Sequence, residues 1–349
     1  MAYVGIDLGT TNSVIASYDG ARTRLYKSRE QHDVTPSVIY ATKRSRFVGW
    51  HAYNQAAANP RNAALLFKRF MGTSTPIHLV AADQTLTAVD ASAEVLSTLV
   101  GYLPEEIRSS ADTGTVITVP AAFNQLQRDA TLAAANQADI GLVALMQEPV
   151  AAVMSVMAED KSDGVFLIYD LGGGTLDIAI AESIGGRVSL LQHGGVAMLG
   201  GRDMDRSLFD NVVKPWLYRE FNLPIDAIKH EEYEKVFRLA TWATERAKIE
   251  LSQRESTKIS LAEDEIRVRD LDGQEIYLEI PLERSHVDRI IQRLVDDSVK
   301  AARDTMRQAG LSSQDIARMV FVGGPTHYPP LRETVAFELE RVMDFGRQG

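Results

Sequence analysis

Two similar hairpin segments, one at the start of the chain and one near its middle, constrain the fold more than any other feature. The first reads Val-Gly-Ile-Asp-Leu-Gly-Thr-Thr-Asn-Ser-Val over residues 4–14, and the second reads Leu-Ile-Tyr-Asp-Leu-Gly-Gly-Gly-Thr-Leu-Asp-Ile over residues 167–178. In both, an apolar strand ends in Asp, a turn with glycine and threonine follows, and a second strand begins. One such hairpin is as typical of a plain glycine turn as of function. Two copies with the carboxylate in the same place indicate a duplicated phosphate-binding unit.

The residue types in the two turns suit a ligand with several phosphate groups. Glycine lets backbone N–H groups come close to phosphate oxygens, and threonine hydroxyls add short donors. A carboxylate repels a polyphosphate unless a divalent cation or its bound water lies between them, so Asp7 and Asp170 together predict magnesium, held mostly through water. The pattern therefore predicts a metal–nucleotide site, whose phosphate contacts come from Gly9, Thr10, Thr11, Asn12, Gly172, Gly173, Gly174 and Thr175.

Composition narrows the class of protein. A chain of 349 residues with 45% apolar residues can form two hydrophobic cores. The net charge of -10 argues against nucleic acid as a partner, and the densest basic run, residues 43–46, is more typical of a solvated turn. There are no cysteines, and no stretch reaches the ~20 apolar residues of a membrane-spanning helix. We therefore expect a soluble cytoplasmic protein that binds neither nucleic acid nor membranes.

Strand and helix patterns alternate in the first half of the chain. Strands are predicted at residues 24–27, 37–41, 115–119 and 142–146, and helices at 62–71, 91–101, 125–138 and from about 149 to 158. This alternation is typical of a doubly wound α/β sheet, in which ligands bind beyond the carboxyl ends of the strands. Asp7, Pro120 and Glu148 fall at such ends in the sequence.

The second half combines a helical insert with further strands. A helix over residues 231–253 places Glu245, Lys248 and Ser252 on one face, because they are three and four residues apart. A helix is also predicted at residues 287–310, and strands at 257–261, 266–270, 275–280 and 319–322, with a hairpin turn at 272–273.

Two glycine pairs punctuate this half. Gly200 and Gly201 open a helix whose N–H groups are placed to donate to phosphate. Gly323 and Gly324 form a tight turn that lets the backbone approach a ligand, although such a turn also serves packing alone.

The two hairpins resemble the phosphate loops of the actin, sugar-kinase and heat-shock-chaperone superfamily. Gly-Ile-Asp-Leu-Gly-Thr-Thr-Asn-Ser over residues 5–13 resembles in particular the seventy-kilodalton heat-shock chaperones of the DnaK type. Further matches follow in the family's order along the whole chain: Thr35-Pro36-Ser37, Phe67-Lys68-Arg69, Val119-Pro120-Ala121, Gln147-Glu148-Pro149, Leu199-Gly200-Gly201, Glu245-Arg246-Ala247-Lys248 and Val322-Gly323-Gly324.

The resemblance implies an α/β protein with the actin-like ATPase fold. Each of its two lobes would contain a ribonuclease-H-like mixed sheet flanked by helices, with smaller inserted subdomains. We expect lobe I at residues 1–160 with an insert at about 41–107, and lobe II at residues 161–349 with an insert at about 204–283. The substrate-binding domain of the family is expected to be absent from this chain.

The resemblance also implies slow hydrolysis of ATP to ADP and phosphate with Mg²⁺, and with K⁺ as a further candidate cation. Lys68 would stabilise the transferring phosphate and orient the attacking water. From the pattern alone, a lysine on the predicted helix would be an exposed surface residue, and Glu148 a favourable charge at a helix N-terminus. The implied catalytic residues are Lys68, Asp7, Glu148, Asp170 and Asp177, with Asp7 and Asp170 at the metal.

Residues of the second half match the positions at which the family contacts adenosine. From spacing alone, Glu245 and Lys248 are typical of a solvated helix pair. Where the family usually has Ser-Thr-Arg after the second glycine pair, this chain has Pro325, Thr326 and His327, so the arginine that would stack near adenine is missing and base selectivity is in question. The implied nucleotide contacts are Gly200, Gly201, Glu245, Lys248, Ser252, Gly323, Gly324, Pro325 and His327.

The family also implies partners. A J-domain co-chaperone and a nucleotide-exchange factor would act on the ATPase, and peptide clients are expected only where a substrate-binding domain follows. Two other functions stay open, a small-molecule kinase on the same fold and a nucleotide-sensing module without turnover. Retention of the four acidic residues and of Lys68 favours the ATPase.

Overall fold

The computed structural model describes residues 3–110, 113–159, 163–339 and 343–344. The chain forms two compact units, Met1–Ala151 and Ala152–Gly349. Each unit contains one main sheet that carries one of the two hairpins.

The first unit begins with the first hairpin and ends in a βαβ segment. Its strands are β1 (Tyr3–Asp7), β2 (Asn12–Tyr18), β3 (Thr23–Leu25), β4 (Thr35–Pro36), β5 (Ile39–Ala41), β6 (Arg46–Val48), β7 (Ala63–Ala64), β8 (Ile77–Leu79), β9 (Gln84–Leu86), β10 (Gly114–Val119) and β11 (Val143–Gln147). Its helices are α1 (Trp50–Ala58), α2 (Ala88–Val100), α3 (Glu105–Arg108), α4 (Gln125–Gln137) and α5 (Glu148–Glu159), the last of which begins in this unit.

The main sheet of the first unit has the order β11-β10-β1-β2-β3, and β4 pairs with β2. Strands β11, β10 and β1 are parallel, whereas β2 and β3 are antiparallel to their neighbours. Ile6, Ile15 and Ile117 are fully buried in a core that also contains Leu96 of α2 and Ala134 of α4. The apolar faces of the strands and helices pack together in this core. This packing fixes the position of the sheet edge at which Asp7 lies.

The second unit begins with the end of α5 and the second hairpin. Its strands are β12 (Gly164–Leu171), β13 (Thr175–Ile184), β14 (Arg187–Ala197), β15 (Ser256–Leu261), β16 (Leu278–Glu283), β17 (Ile316–Val322) and β18 (Met343–Asp344). Its further helices are α6 (Gly201–Leu208), α7 (Lys214–Glu220), α8 (Glu231–Glu250), α9 (Glu263–Ile266), α10 (Arg284–Gln308) and α11 (Pro329–Glu338).

The main sheet of the second unit repeats the arrangement of the first. Its order is β14-β13-β12-β17-β18, with β17 and β18 parallel to β12, and β13 and β14 antiparallel to their neighbours. The internal repeat is therefore not limited to the two hairpins. It includes the order and the directions of five neighbouring strands in each main sheet. The prediction of an actin-like α/β fold with a mixed sheet in each half is confirmed.

The helix predicted at residues 62–71 is wrong. Ala63 and Ala64 form β7 and pair with Tyr40 and Ile39 of β5, and Leu66 has a left-handed backbone with φ of 54°. A 3₁₀ turn, Phe67–Phe70, follows. Strand pairing of the two buried alanines thus overrides their helix propensity, and Lys68 lies on a tight turn rather than on a regular helix.

The hairpin predicted around residues 272–273 is formed in part, by the bridge of Arg269 with Glu275 and by backbone hydrogen bonds from Asp270 N to Gln274 O at 2.9 Å and from Ile276 N to Val268 O at 3.0 Å. The strand predicted at 275–280 lies three residues later, as β16. The strand predicted at 266–270 is wrong, and residues 263–266 form α9, where the Glu265 carboxylate accepts a hydrogen bond from Ala262 N. The reason is local, because the Asp270 carboxylate accepts from the backbone N–H groups of three residues, Asn222, Asp272 and Gln274, and such bonds compete with a strand ladder.

Candidate functional site

The first hairpin turn is closed by two serine hydroxyl groups, one within the motif and one from Ser37, outside it. Gly9 N donates to Ser13 Oγ at 3.2 Å, Ser37 Oγ donates to Gly9 O at 2.8 Å, and the two serine oxygens lie 2.8 Å apart. Both serines are buried. A Cβ atom at Gly9 would lie 1.9 Å from Asn12 O, so only glycine fits this turn.

Thr11 carries an unsatisfied group in the same turn. Its carbonyl accepts from Ser37 N at 2.8 Å, but its Oγ1 atom is buried and has no hydrogen-bond partner among the described residues. Buried hydroxyl groups are almost always paired, because an unpaired one loses its bonds to water without replacement. A bound ligand oxygen would supply the missing partner, so this turn fits the phosphate group that its sequence predicts. Thr10 is partly buried and Asn12 is exposed.

Three positions that the sequence placed at strand ends, two of them acidic, lie at the ends of consecutive parallel strands in the first unit. Asp7 ends β1, Pro120 follows β10, and Glu148 follows β11 as the first residue of α5. Thr118 Oγ1 donates to Asp7 Oδ1 at 2.9 Å across the β1–β10 pair. The carboxyl edge of the sheet therefore presents acidic groups at two of its strand ends, as expected for a ligand site in this class of sheet.

Lys68 and Glu148 form a buried ion pair. Lys68 Nζ lies 2.8 Å from Glu148 Oε1, and the two side chains are 5% and 19% exposed. The ammonium group also lies 5.7 Å from the centre of the Phe123 ring. The interpretation of Lys68 as an exposed surface lysine is therefore wrong. A charge pair with so little solvent is costly to form and is more typical of a functional site than of a surface.

The turn of the second hairpin is hydrogen-bonded to the start of α6. Gly172 N donates to Thr175 O at 2.9 Å within the turn, Gly201 N donates to Gly172 O at 3.0 Å, and Arg202 N donates to Gly173 O at 2.8 Å. We expected the first N–H groups of this helix to face phosphate; those of Gly201 and Arg202 instead fix the glycine loop. A Cβ atom at Gly200 would lie 2.5 Å from Gly174 N, so the loop and the helix start are in close contact.

Asp170 lies beside the Gly323–Gly324 turn. Gly323 has a φ of 93°, and a Cβ atom there would lie 2.1 Å from Leu171 O and 3.0 Å from Asp170 Oδ1. Thr326 Oγ1 donates to Gly323 O at 2.6 Å and closes the 3₁₀ turn Gly324–His327. This packing brings the predicted glycine turn against the predicted acidic residue, while His327 is exposed.

A third group of predicted residues meets at the start of α6. Lys248 Nζ donates to Gly201 O at 2.9 Å and lies 2.7 Å from Asp205 Oδ1. A Cβ atom at Gly201 would lie 3.0 Å from Pro325 Cγ. Burial raises the pKa of Asp205 to about 6, the Lys248 charge opposes this shift, and the Glu245 charge adds to it.

Ser252 does not lie on the helix face predicted for it. Helix α8 ends at Glu250, and Ser252 follows in a turn. Arg284 holds this turn, because its Nε donates to Leu251 O at 2.7 Å and its Nη2 donates to Ser252 O at 3.3 Å. The position of Ser252 is therefore fixed by the hydrogen bonds of Arg284 to this turn, and not by the periodicity of α8.

Sequence reasoning missed several residues that shape these groups: Ser13, Ser37, Thr118, Asp205 and Arg284. The signal for Ser37 was present in the Thr35-Pro36-Ser37 match, and that for Asp205 in its position four residues after Gly201.

Within the described ranges, no three His, Cys, Asp or Glu side chains gather as a metal centre. Magnesium bound to phosphate and water needs only one or two protein carboxylates. Within the same ranges, no helix is long and apolar enough to cross a membrane.

Comparison with known proteins places the chain in a family. The family model described as Hsp70 protein matches residues 3–343. A chaperone protein DnaK from Deinococcus proteolyticus is 34% identical over 358 residues, covering 95% of this chain and 54% of the relative. A chaperone protein DnaK from Mycoplasma mobile is 34% identical (97% and 54% covered), and a chaperone protein HscA homolog from Actinobacillus pleuropneumoniae is 32% identical (95% and 53%).

The chain therefore spans about half the length of the curated relatives that it matches. The family model covers both repeated sheets and every segment that carries a predicted site residue. The chain belongs to the Hsp70 family and has the actin-like fold of that family's nucleotide-binding domain.

Proposed function

We propose that this chain binds ATP with magnesium and hydrolyses it slowly to ADP and phosphate. The buried Lys68–Glu148 pair carries the proposal, because a protein that only binds nucleotide has no need to keep a costly charge pair out of water. The family supports the same activity, since its members are ATPases. The proposal of turnover by this chain rests on the Lys68–Glu148 pair, and the proposal of a slow rate rests on the resemblance to the family.

The proposed roles follow the groupings in each unit. Lys68 would stabilise the terminal phosphate and orient the attacking water, and Glu148 would orient the ammonium group and hold a magnesium-bound water. The Thr11 hydroxyl would donate to a phosphate oxygen, with Thr10, Asn12 and the glycines of the turn around it. The remaining phosphate contacts would come from the second hairpin, through Gly172, Gly173, Gly174 and Thr175, while Asp177 would act beside the metal and the attacking water.

Magnesium fits the acidic residues of both hairpins. Asp170 and Asp177 are cross-strand partners, and like charges directly opposite each other are unfavourable unless a cation balances them. Asp7 and Asp170 are the proposed magnesium residues, mostly through bound water, and K⁺ is a further candidate. When bound, the metal would neutralise charge that develops on the phosphates.

Adenosine would lie against the group at the start of α6 and the turns beside it. Lys248 and Pro325 both come close to Gly201, and Gly323 and Gly324 form the turn that Thr326 closes. The same proposal includes Gly200, Glu245, Ser252 and His327. A J-domain co-chaperone and a nucleotide-exchange factor are proposed as partners, and peptide clients only where an attached domain binds them.

Single-turnover conversion of ATP, measured beside calorimetric titration of ATP and ADP with and without magnesium, tests the proposal. We expect binding of both nucleotides, stronger with magnesium, and slow formation of ADP and phosphate. Binding without turnover would indicate a nucleotide sensor. Release of ADP that depends on an added hydroxyl acceptor would indicate a small-molecule kinase. Absence of binding would overturn the proposal entirely.

A further inference from the structure

Asp205 is a buried carboxylate that the predicted chemistry does not use. It lies on α6 four residues after Gly201, and its side chain is 7% exposed. Its Oδ1 atom lies 2.7 Å from Lys248 Nζ on α8. Burying an ionised carboxylate is unfavourable unless a charged partner faces it, so the position of Asp205 and the position of Lys248 depend on each other.

The ammonium group of Lys248 is held by one hydrogen bond and one ion pair. Lys248 Nζ donates to Gly201 O at 2.9 Å, and it lies 2.7 Å from Asp205 Oδ1 as an ion pair without hydrogen-bond geometry. A lysine side chain has many rotamers, and fixing it without a partner costs conformational entropy. The Asp205 charge therefore restricts the position of the lysine before any ligand arrives, and the ammonium group keeps protons that a ligand oxygen can accept.

Among the residues that the structure describes, the charges that act on the Asp205 carboxyl group come from Lys248, Glu245 and Arg202. Arg202 is exposed, whereas the Lys248 side chain is 14% exposed and lies on a helix that carries two of the proposed adenosine contacts. The buried carboxylate thus acts mainly on this lysine.

We propose that Asp205 is a positioning residue that holds Lys248 in place to bind the nucleoside part of the nucleotide. The inference rests on the proposed nucleotide function and deepens it. Because Asp205 would act through Lys248, its loss should raise the dissociation constant of the nucleotide and the KM for ATP. It should leave the rate of hydrolysis at saturating ATP unchanged, because a contact formed equally in ground and transition states affects KM alone.

Calorimetric titration of ADP into four proteins tests this coupling: the natural chain, Asp205→Asn, Lys248→Met and the double variant. We expect each single substitution to raise the Kd by about tenfold, the effect of losing one hydrogen bond from a charged group. The double variant should be no weaker than Lys248→Met alone, since Asp205 acts only through the lysine. Asp203→Asn, on the same helix, is the matched control and should bind ADP like the natural chain.

Several outcomes would overturn the inference. They are an unchanged Kd for Asp205→Asn, additive effects in the double variant, and a lowered rate at saturating ATP. If Asp205→Asn fails to fold, Asp205→Leu with Lys248→Met replaces the pair by apolar side chains and should match Lys248→Met in ADP affinity. If the natural chain itself does not bind ADP, the proposed function fails as well, whereas binding by the natural chain with no effect at Asp205 overturns this inference alone.

Discussion

Asp170 and Asp177 stand directly opposite each other across strands β12 and β13, whereas Asp7, at the corresponding place in the first hairpin, stands opposite Val14. The two hairpins are therefore alike in backbone and different in charge. Two opposed carboxylates repel each other, and a cation that both can reach removes the repulsion.

Replacing Asp177 by Asn should separate stability from metal binding. We expect the affinity for the magnesium–ATP complex to fall, because one of the two carboxylates that face each other on this hairpin is lost. Without magnesium and nucleotide we expect the free energy of unfolding to change by no more than about 0.5 kcal/mol, the scale of a cross-strand side-chain pair. Urea denaturation and calorimetry measure the two effects, and Glu182→Gln on the same strand, opposite Val165 and Ser189, is the control. An unchanged affinity for the magnesium–ATP complex would contradict this reasoning.

Thr11→Val should weaken ligand binding without harming the free protein. The Thr11 Oγ1 atom is buried and has no partner among the described residues, so an apolar group of the same shape should leave the free energy of unfolding unchanged or raise it by about 1 kcal/mol. We expect the Kd for ATP to rise, because the phosphate loses a donor. Destabilisation of the ligand-free variant would show that the hydroxyl has a structural partner instead.

Gly9 and Gly5 offer a matched pair of substitutions on one hairpin. A Cβ atom at Gly9 would lie 1.9 Å from Asn12 O, whereas one at Gly5, on β1, would meet nothing within 4 Å. We expect Gly9→Ala to distort the turn and raise the Kd for ATP by at least about tenfold, and Gly5→Ala to change it little. Calorimetry measures both affinities for ATP. Equal affinities of the two variants would contradict the assignment of this turn to the binding site.

The buried pair of Asp205 with Lys248 should give a pH dependence of stability. The pKa of Asp205 is raised to about 6, so between pH 4 and 6 the folded chain binds a proton that the unfolded chain does not. Stability from this group is fully present below the ordinary pKa of Asp and is lost as the pH rises through about 6.

Compared with Asp205→Asn, the natural chain should therefore gain unfolding free energy on the order of 3 kcal/mol as the pH falls from 7 to 4. Denaturation series at several pH values measure this difference, and Asp203→Asn should show the dependence of the natural chain. A difference between the natural chain and Asp205→Asn that stays constant with pH would contradict the raised pKa.

Periodicity and glycine placement predicted the repeated hairpins, the parallel strands that end at Asp7 or just before Pro120 and Glu148, and the long helices, because these elements bury an apolar face. The failures have local causes. Ala63 and Ala64 read as helix formers but pair with β5, and the Asp270 carboxylate takes backbone donors that a strand would use.

Long-range side-chain contacts could not be predicted from the sequence pattern. The pairing of Lys68 with Glu148 joins residues 80 positions apart, and that of Lys248 with Gly201 joins residues 47 positions apart. Neither spacing follows a helix or strand period. The resemblance to a family supplied the residue types at these positions, but their partners appear only once the chain is folded.

Single-turnover hydrolysis of ATP by Lys68→Met, beside the natural chain, tests the proposed ATPase most directly. We expect the rate constant to fall by at least about 100-fold, since the lysine holds the phosphate and the attacking water, while the Kd for ADP changes by less than about threefold. Lys68→Met with Glu148→Gln controls for the carboxylate left without its partner, and the exposed Lys27→Met controls for loss of a positive charge. An unchanged rate in Lys68→Met would contradict the assignment of this lysine to catalysis.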